Sequence, residues 1–262
     1  SDIATLVRPS SVWQKSADTP DTGAAIAAEA VTASYGPPGG PVSLILPADS
    51  AWSEASRKGP VVEIPRRATP AVSAISATAA KLKAAKSPVV LIGGSACTEA
   101  GLRAAGRLKA AGIRVLTDTF VARLARGEGR FNPDKMLYFG EMALKDLAGS
   151  DLMVLVETAM PVSFFAYPDM PSVLVPEGCA LEPLCDRSQD GIATLNLLAD
   201  ALGAPQDVAL TTYAPQDCPS GELTAYTIGT SIARHMPSQA VISDDAVTAG
   251  LPVYTQTAQA RA

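Results

Sequence analysis

Residues 88–112 read PVVLIGGSACTEAGLRAAGRLKAAG, and the class of fold follows from them. The first five residues are apolar and rich in β-branched side chains, which predicts a buried strand over 88–92. Gly93 and Gly94 form a short turn, and the periodic Ala- and Leu-rich segment that follows predicts a helix over 99–111. Buried strands that pass through short glycine turns into helices are typical of a parallel α/β sheet.

The same alternation continues on both sides of this stretch. The pattern predicts further helices over 70–85, 141–148 and 190–202, and further strands over 113–116, 151–156 and near 172–175. We therefore predict a doubly wound, mainly parallel sheet in a Rossmann-like domain of ordinary size over residues 61–203.

Shorter α/β pieces flank this domain. On the N-terminal side, a predicted helix over 20–34 precedes the apolar run at 42–46, which predicts a strand buried on both faces. Such a strand needs neighbours, and we expect most of its sheet to lie outside this sequence. On the C-terminal side, a proline-bearing linker precedes a predicted helix over 222–235 and a predicted strand over 239–243. The chain is thus predicted to divide into residues 1–60, 61–203 and 204–262.

The overall composition narrows the class of protein. Of the 262 residues, 47% are hydrophobic and 18% are charged, which excludes a disordered chain. The net charge of −5 argues against nucleic-acid and anionic-membrane partners, because both favour basic surfaces. No apolar run has the length of a membrane span, and the first residues lack the pattern of a secretory signal.

The cysteines and the single histidine argue against a zinc centre. Cys97, Cys179, Cys185 and Cys218 are scattered without a CxxC pair, and His235 is the one histidine. We assign no metal ligand, and we expect reduced, mostly buried cysteines in a cytoplasmic protein.

Several motifs together carry a family resemblance. GPPGGPVSLILPADSAW (36–52) resembles the G-x-P-G-P-V-x-L-x-I-P-x-D run that ends the pyrimidine-binding domain of thiamine-diphosphate (ThDP) enzymes of the acetolactate synthase and benzoylformate decarboxylase group. SDIATLVRPSSVWQKSAD resembles the segment before it. SPVVLIGGSA, AGIRVLTDTF and GSDLMVLVETAMPVSFFAYPD resemble the central domain, and LTAYTIGTSIARHMPSQAVISDDAVTAG resembles the start of the diphosphate-binding domain. The likeness covers nearly the whole chain in the right order.

The resemblance implies a parent enzyme that uses ThDP and Mg²⁺. In this family the cofactor carbanion attacks a 2-oxo acid, which is decarboxylated and then ligated or protonated. The site lies between subunits, which implies a homodimer or homotetramer. The activating glutamate and the G-D-G…N motif of the family have no match in this sequence. We therefore expect a catalytically inactive fragment, and we assign no catalytic residue.

The turn after the predicted strand 239–243 is the candidate cofactor site. Free N–H groups at the start of a helix, at the carboxyl end of a strand, suit a phosphate. The resemblance implies that Asp245, Val247 and Thr248 contact the ThDP diphosphate. The alternative is that Asp244 or Asp245 only caps the helix, a contribution of about 1 kcal/mol. Adjacent carboxylates diverge, so acid–base catalysis by this pair is rejected.

Residues 93–96 (GGSA) resemble a phosphate-binding loop. They lack the full G-x-G-x-x-G pattern, and we find no acidic residue at the end of the next strand, where IRVL is followed by Thr117 and Asp118. We favour a tight turn with close helix–strand packing, and we do not expect FAD or an adenine nucleotide in the central domain.

Three further sets of residues have two interpretations each. The aromatics Phe164, Phe165 and Tyr167 could line a pocket, but aromatics in such a loop more often cover the sheet as core. The arginines Arg123, Arg126 and Arg130 could hold an anion, but a solvated loop is the default. His235 complements a helix dipole and is assigned no catalytic role.

Two other functions remain open at this point. One is a stand-alone Rossmann-like module that binds a nucleotide at 93–96, and the other is a non-catalytic structural subunit. Calorimetric titration of the chain with ThDP–Mg²⁺, ADP and FAD distinguishes these from the fragment hypothesis.

Overall fold

The computed structural model describes residues 2–166, 168–246 and 248–262. By internal contacts the chain divides into two units. The smaller unit runs to Thr69 and includes Arg187–Asp190, and the larger unit comprises Pro70–Asp186 and Gly191–Ala262. The predicted division at 60/61 and 203/204 concerns the whole protein and stays a prediction.

The smaller unit is built around one parallel strand pair. Its elements are α1 (Ile3–Val7), a 3₁₀ turn (Arg8–Ser10), β1 (Trp13–Ser16), α2 (Pro20–Tyr35), β2 (Val42–Ile45) and α3 (Ala48–Trp52). β1 pairs with β2 in parallel, with Trp13 opposite Val42, and α2 forms the crossover between them. Helix α2 begins with Pro20 at its first position and ends at Gly36, whose φ of 72° suits glycine.

The prediction that the strand at 42–46 is buried on both faces is wrong. All four residues of β2 are only half-buried. In the described chain β2 has one paired neighbour, β1, which the sequence analysis did not find. A single neighbour and one crossover helix leave part of each face accessible.

The larger unit contains a five-stranded parallel sheet. Its elements are α4 (Val72–Ala84), β3 (Pro88–Ile92), a 3₁₀ turn (Gly94–Cys97), α5 (Glu99–Ala110), β4 (Arg114–Thr117), β5 (Asp134–Lys135), α6 (Gly140–Leu147), β6 (Leu152–Val156), β7 (Ala180–Cys185), α7 (Gly191–Leu202), α8 (Ala225–His235) and α9 (Gly250–Gln256). The strand order is β5-β4-β3-β6-β7, and every pairing is parallel.

Helices cover both faces of this sheet, so the predicted doubly wound α/β class is confirmed. Val90 and Ile92 of β3 face a core shared with α4, α5 and α7. Val89 and Leu91 face the opposite core, which includes Leu147 of α6. The central strands therefore consist of apolar residues throughout, as expected for a parallel sheet that is covered on both sides.

The predicted strand near 172–175 is wrong. Val173 forms only an isolated antiparallel bridge with Val162, and the edge strand beside β6 is β7, at Ala180–Cys185. β7 carries Glu182 and Pro183, which break the apolar pattern. Pro183 is tolerated there because an edge strand leaves one row of backbone groups unpaired, and a register shift lies close by.

The predicted helix 222–235 is confirmed as α8, but the strand predicted over 239–243 is wrong. α8 begins with a capping box in which Thr224 and Thr227 bond to each other's backbone N–H groups. Residues 239–243 are exposed and form no strand. The run has β-forming residues, but in the described chain no strand pairs with it.

No helix in the described ranges combines the length and the apolar composition that crossing a bilayer requires.

The two-sided core predicts different effects for two adjacent leucines of α7. Leu198 is 0% exposed and lies in the core with β3, whereas Leu197 is 38% exposed. We expect Leu198→Ala to lower the unfolding free energy by about 2–5 kcal/mol, because it leaves a cavity. Leu197→Ala, the matched control, is expected to cost less than about 1 kcal/mol. Urea unfolding followed by circular dichroism measures both, and equal losses would contradict this packing.

Candidate functional site

Three loops meet at the carboxyl edge of the five-stranded sheet. They follow β3, β4 and β6, and they begin at Gly93, Asp118 and Glu157 respectively. Ligands of open α/β sheets bind at this edge. This edge is therefore the expected location of a binding site in the larger unit.

Glu157 is the central group of this edge. It directly follows the buried strand β6 and is only 3% exposed, and its φ of 53° is unusual for a residue with a side chain. One carboxylate oxygen accepts hydrogen bonds from the Ser95 hydroxyl at 2.7 Å and from the Gly191 N–H at 2.9 Å. The other accepts a short bond from the Ser95 N–H.

Three glycines make room for Glu157, two beside its carboxylate and one beside its backbone. A Cβ on Gly191 would lie 2.8 Å from Cδ of Glu157, and one on Gly93 would lie 2.7 Å from the backbone oxygen of Glu157. Gly94 has a φ of 47°, and a Cβ there would collide with the carboxylate. The Gly93–Gly94 turn is thus a close-packed turn, which is the interpretation that the sequence favoured.

The turn as it stands does not fit the phosphates of FAD or of an adenine nucleotide. The Ser95 N–H and hydroxyl and the Gly191 N–H already bind a carboxylate. A phosphate would have to displace that carboxylate, and the two like charges would repel each other in a buried site.

The sequence analysis was wrong that no acidic residue ends the next strand. β4 extends through Thr117, so Asp118 is the first residue after it. One oxygen of Asp118 accepts from the Thr119 N–H at 2.6 Å, and the other accepts from the Thr158 hydroxyl at 2.8 Å. Asp118 therefore binds the neighbouring loop.

Cys97 lies beneath these acidic groups and is 0% exposed. Burial, together with the smaller effect of the charges of Glu157 and Asp118, raises the pKa of its thiol to about 12. Such a thiol stays protonated near neutral pH and is a poor nucleophile.

Two of the predicted cofactor residues, Asp245 and Thr248, lie elsewhere in the larger unit, in the segment before α9. Asp245 and Thr248 are exposed, and Val247 lies outside the described residues. Asp244 accepts from the Ala246 N–H at 2.9 Å, and a Cβ on Gly250 would lie 2.7 Å from its carboxylate. Asp244 thus stabilises the turn locally. The role of the other three residues in binding ThDP stays a prediction.

The arginines of the loop after β4 are less solvated than expected. Arg126 stacks 3.5 Å from the ring centroid of Tyr254 and donates to the Tyr254 carbonyl at 2.6 Å. Burial lowers the pKa of Arg126. Arg130 pairs with Glu99 at 3.2 Å, whereas Arg123 is exposed. Arg126 and Arg130 therefore hold this loop in place, since both bond within the protein.

Lys135, in β5, lies beside the same ring. Its ammonium is 4.9 Å from the ring centroid of Tyr254. Burial lowers the pKa of Lys135, while the charge of Asp244 raises it. The attraction between Lys135 and Asp244 links β5 to the turn that precedes α9.

The aromatic loop residues are not core, contrary to expectation. Phe164 and Phe165 are 52% and 56% exposed. They form an exposed aromatic cluster with Phe120, Tyr138 and Phe139 through edge-to-face and stacked contacts. Tyr167 lies outside the described residues. These rings therefore pack on one another rather than inside the core.

The last two candidates are His235 and a possible metal site. His235 lies in the last turn of α8, as predicted, and is exposed. Over the described ranges, no three His, Cys, Asp or Glu side chains are grouped so that they could hold a metal ion. Since Asp245 and Thr248 are exposed turn residues without such a group beside them, the described residues do not by themselves fit ThDP with Mg²⁺.

Glu157 and its hydrogen bonds to Ser95 and Gly191 were missed by the sequence analysis. The available signal was an acidic residue directly after a fully buried strand, one strand away from a Gly-Gly turn. Its importance depends on the fold, because β3 and β6 are neighbours in space but about 60 residues apart in the chain.

Comparison with known proteins agrees with the sequence-based resemblance. No family profile matches the chain. The chain is 36% identical over 222 residues to the acetolactate-synthase-large-subunit-like protein IlvX of Mycobacterium tuberculosis, and the match covers 84% of this chain and 42% of that protein.

Two solved structures share the fold. The thiamine-diphosphate-dependent 4-hydroxybenzoylformate decarboxylase of Rhodococcus jostii RHA1 has a TM-score of 0.73 at 18% identity, over 100% of this chain and 53% of that one. A thiamin-diphosphate-dependent-enzyme-like protein of Mycobacterium smegmatis has a TM-score of 0.72 at 20% identity, over 99% and 54%. The resemblance to ThDP-dependent enzymes is confirmed, and the chain spans about half the length of these relatives.

The buried thiol predicts a pH dependence of stability. The unfolded chain releases the Cys97 proton near the ordinary pKa of 9.0, whereas the folded chain keeps it to about 12. Stability is therefore lost as the pH rises from about 9 towards 12, by up to about 1.4 kcal/mol per pH unit. Urea unfolding between pH 8 and 10 should show the full loss in the wild type and in the exposed control Cys218→Ala. The loss should be smaller in Cys97→Ala, where Cys179 and Tyr254, whose pKa values burial also raises, still contribute. An identical pH slope in all three proteins would contradict the raised pKa.

Proposed function

We propose that this chain is part of a ThDP- and Mg²⁺-dependent enzyme, of the acetolactate synthase type, that decarboxylates a 2-oxo acid. The reaction would be completed by carboligation or protonation, as in a transferase or a lyase. The proposal rests on the match of this chain to ThDP enzymes along its length. The chain is 36% identical to an acetolactate-synthase-like relative over 84% of its residues, and its whole length shares the fold of a solved ThDP-dependent decarboxylase.

Each part of the chain has a proposed place in that enzyme. The smaller unit would end the pyrimidine-binding domain, since the motif at 36–52 contains β2 and α3. The five-stranded sheet would be the central domain. The segment from residue 204, with α8 and α9, would lead into the diphosphate-binding domain.

ThDP, when bound, would supply the electron sink for decarboxylation. Asp245, Val247 and Thr248 are the proposed diphosphate contacts in the whole enzyme. Because the described residues do not by themselves fit the cofactor and its metal, no reaction step is assigned to this chain. We propose that the chain alone is inactive and that the whole enzyme assembles as a homodimer or homotetramer.

The setting is proposed to be cytoplasmic, with a small 2-oxo acid as substrate and no nucleic-acid or membrane partner. In support of a reducing compartment, all four cysteines are free thiols. Cys97 and Cys185 are buried, as expected, whereas Cys218 is exposed.

The proposal is tested with the protein expressed from its whole reading frame. We expect CO₂ release from a panel of aliphatic and aromatic 2-oxo acids that requires both ThDP and Mg²⁺. The present chain, titrated calorimetrically with ThDP–Mg²⁺, should give no saturable heat. Absence of ThDP-dependent turnover on every 2-oxo acid would refute the proposed function, and tight ThDP binding by this chain would refute its inactivity as a fragment.

Thr248 provides a residue-level test in the whole protein. We expect Thr248→Val to weaken ThDP binding about tenfold, because a hydrogen bond to a charged phosphate contributes about 1.5–3 kcal/mol. The matched control is Thr255→Val, since the Thr255 hydroxyl donates to the Leu251 carbonyl within α9. ThDP titration of both variants measures the change, and equal affinities would remove Thr248 from the site.

A further inference from the structure

The contacts of Glu157 resemble those of a bound ligand. Its carboxylate lies at the carboxyl edge of the sheet and receives the Ser95 N–H, the Ser95 hydroxyl and the Gly191 N–H. The last of these belongs to the first residue of α7, a helix of 12 residues. Free N–H groups at the start of a helix favour an anion.

The surrounding backbone is shaped to the carboxylate. Side chains at Gly94 or Gly191 would occupy the space that the carboxylate fills, since a Cβ on Gly191 would lie 2.8 Å from its Oε1. Glu157 itself adopts a φ of 53°, which costs a residue with a Cβ some backbone energy. The hydrogen-bond donors, the glycines and the backbone conformation of Glu157 thus all accommodate one anionic group. We call Gly94, Ser95 and Gly191 the anion cradle.

We propose that this cradle is an anion-binding site whose ligand is the protein's own Glu157. The carboxylate takes the place that a ligand's phosphate or carboxylate would take at such a turn. The Gly93–Gly94 turn therefore stays ordered without a nucleotide, and it is closed to nucleotides while Glu157 is present. This inference concerns the larger unit alone and does not depend on the proposed function.

Burial of the charge is consistent with this role. A carboxylate that is 3% exposed loses most of its hydration, and charge-assisted hydrogen bonds offset that loss. Removal of the side chain would leave the Ser95 and Gly191 donors buried and unpaired, with space beside them for a small anion. An ordinary packing residue, by contrast, would leave a space without affinity for anions.

The test is chemical rescue of Glu157→Ala by acetate. We expect this variant to melt about 5–10 °C below the wild type in chloride, because buried donors lose their acceptor. Replacing chloride by acetate at equal ionic strength should recover at least half of that loss in a saturable manner. The wild type, with its cradle filled, should show no saturable acetate effect. Scanning calorimetry measures the melting temperatures.

Two control variants separate the cradle from general effects of salt and destabilisation. Glu182→Ala removes a glutamate whose carboxylate accepts from Lys81 at 2.6 Å in the same unit but outside the cradle, so acetate should not rescue it. Glu157→Gln keeps the cradle filled but presents an amide to N–H donors. We expect it to be destabilised without acetate rescue.

Refolding yield in acetate against chloride gives the same comparison if Glu157→Ala does not fold in chloride. The proposal is overturned if acetate stabilises Glu157→Ala no more than Glu182→Ala. It is equally overturned if the wild type binds ADP saturably and Ser95→Ala abolishes that binding, because a nucleotide would then occupy the cradle. Rescue confined to Glu157→Ala, with no ADP binding by the wild type, supports it.

Discussion

The larger unit depends on the burial of β3 on both faces. An apolar strand of this kind is stable only where neighbouring strands take up its backbone hydrogen bonds and helices cover both sides. β4 and β6 provide the pairing, and helices on the two faces provide the cover. Where these strands end then determines which loops meet, and that is why the turn after β3 lies against Glu157.

The central strands and their helices could be predicted because their signals are local. Runs such as PVVLI and LMVLV are apolar throughout, with Gly93 and Gly94 directly after the first and Gly149 shortly before the second. Which strands pair with each other is not a local property, and the wrong strand predictions arose there. β7 contains Glu182 and Pro183 and is a strand because β6 pairs with it. Residues 239–243 have the composition of a strand, but none of the described strands pairs with them. Burial of β2 was overestimated for the same reason.

The candidate sites show a similar limit. The Gly93–Gly94 turn was identified from sequence and correctly interpreted as close packing, but the group that packs into it was not. Glu157 reaches Ser95 only because β3 and β6 are adjacent and because its own backbone adopts a positive φ. Neither the adjacency of the strands nor the positive φ can be predicted from the local sequence. The predicted ThDP contacts at Asp245, Val247 and Thr248 rest on resemblance alone, since the strand predicted just before them, at 239–243, does not form.

The exposed aromatic cluster has a practical consequence for work with the isolated chain. Phe120, Phe164 and Phe165 present accessible ring surface in the fully folded protein, at 61%, 52% and 56% exposure. Dyes such as ANS fluoresce on accessible apolar surface and are commonly used to detect partly folded states. This chain offers them a docking surface before any unfolding occurs. Dye fluorescence from the native protein would therefore be mistaken for a molten globule. Near-UV circular dichroism, which needs no added dye, gives the reliable signal of the native state.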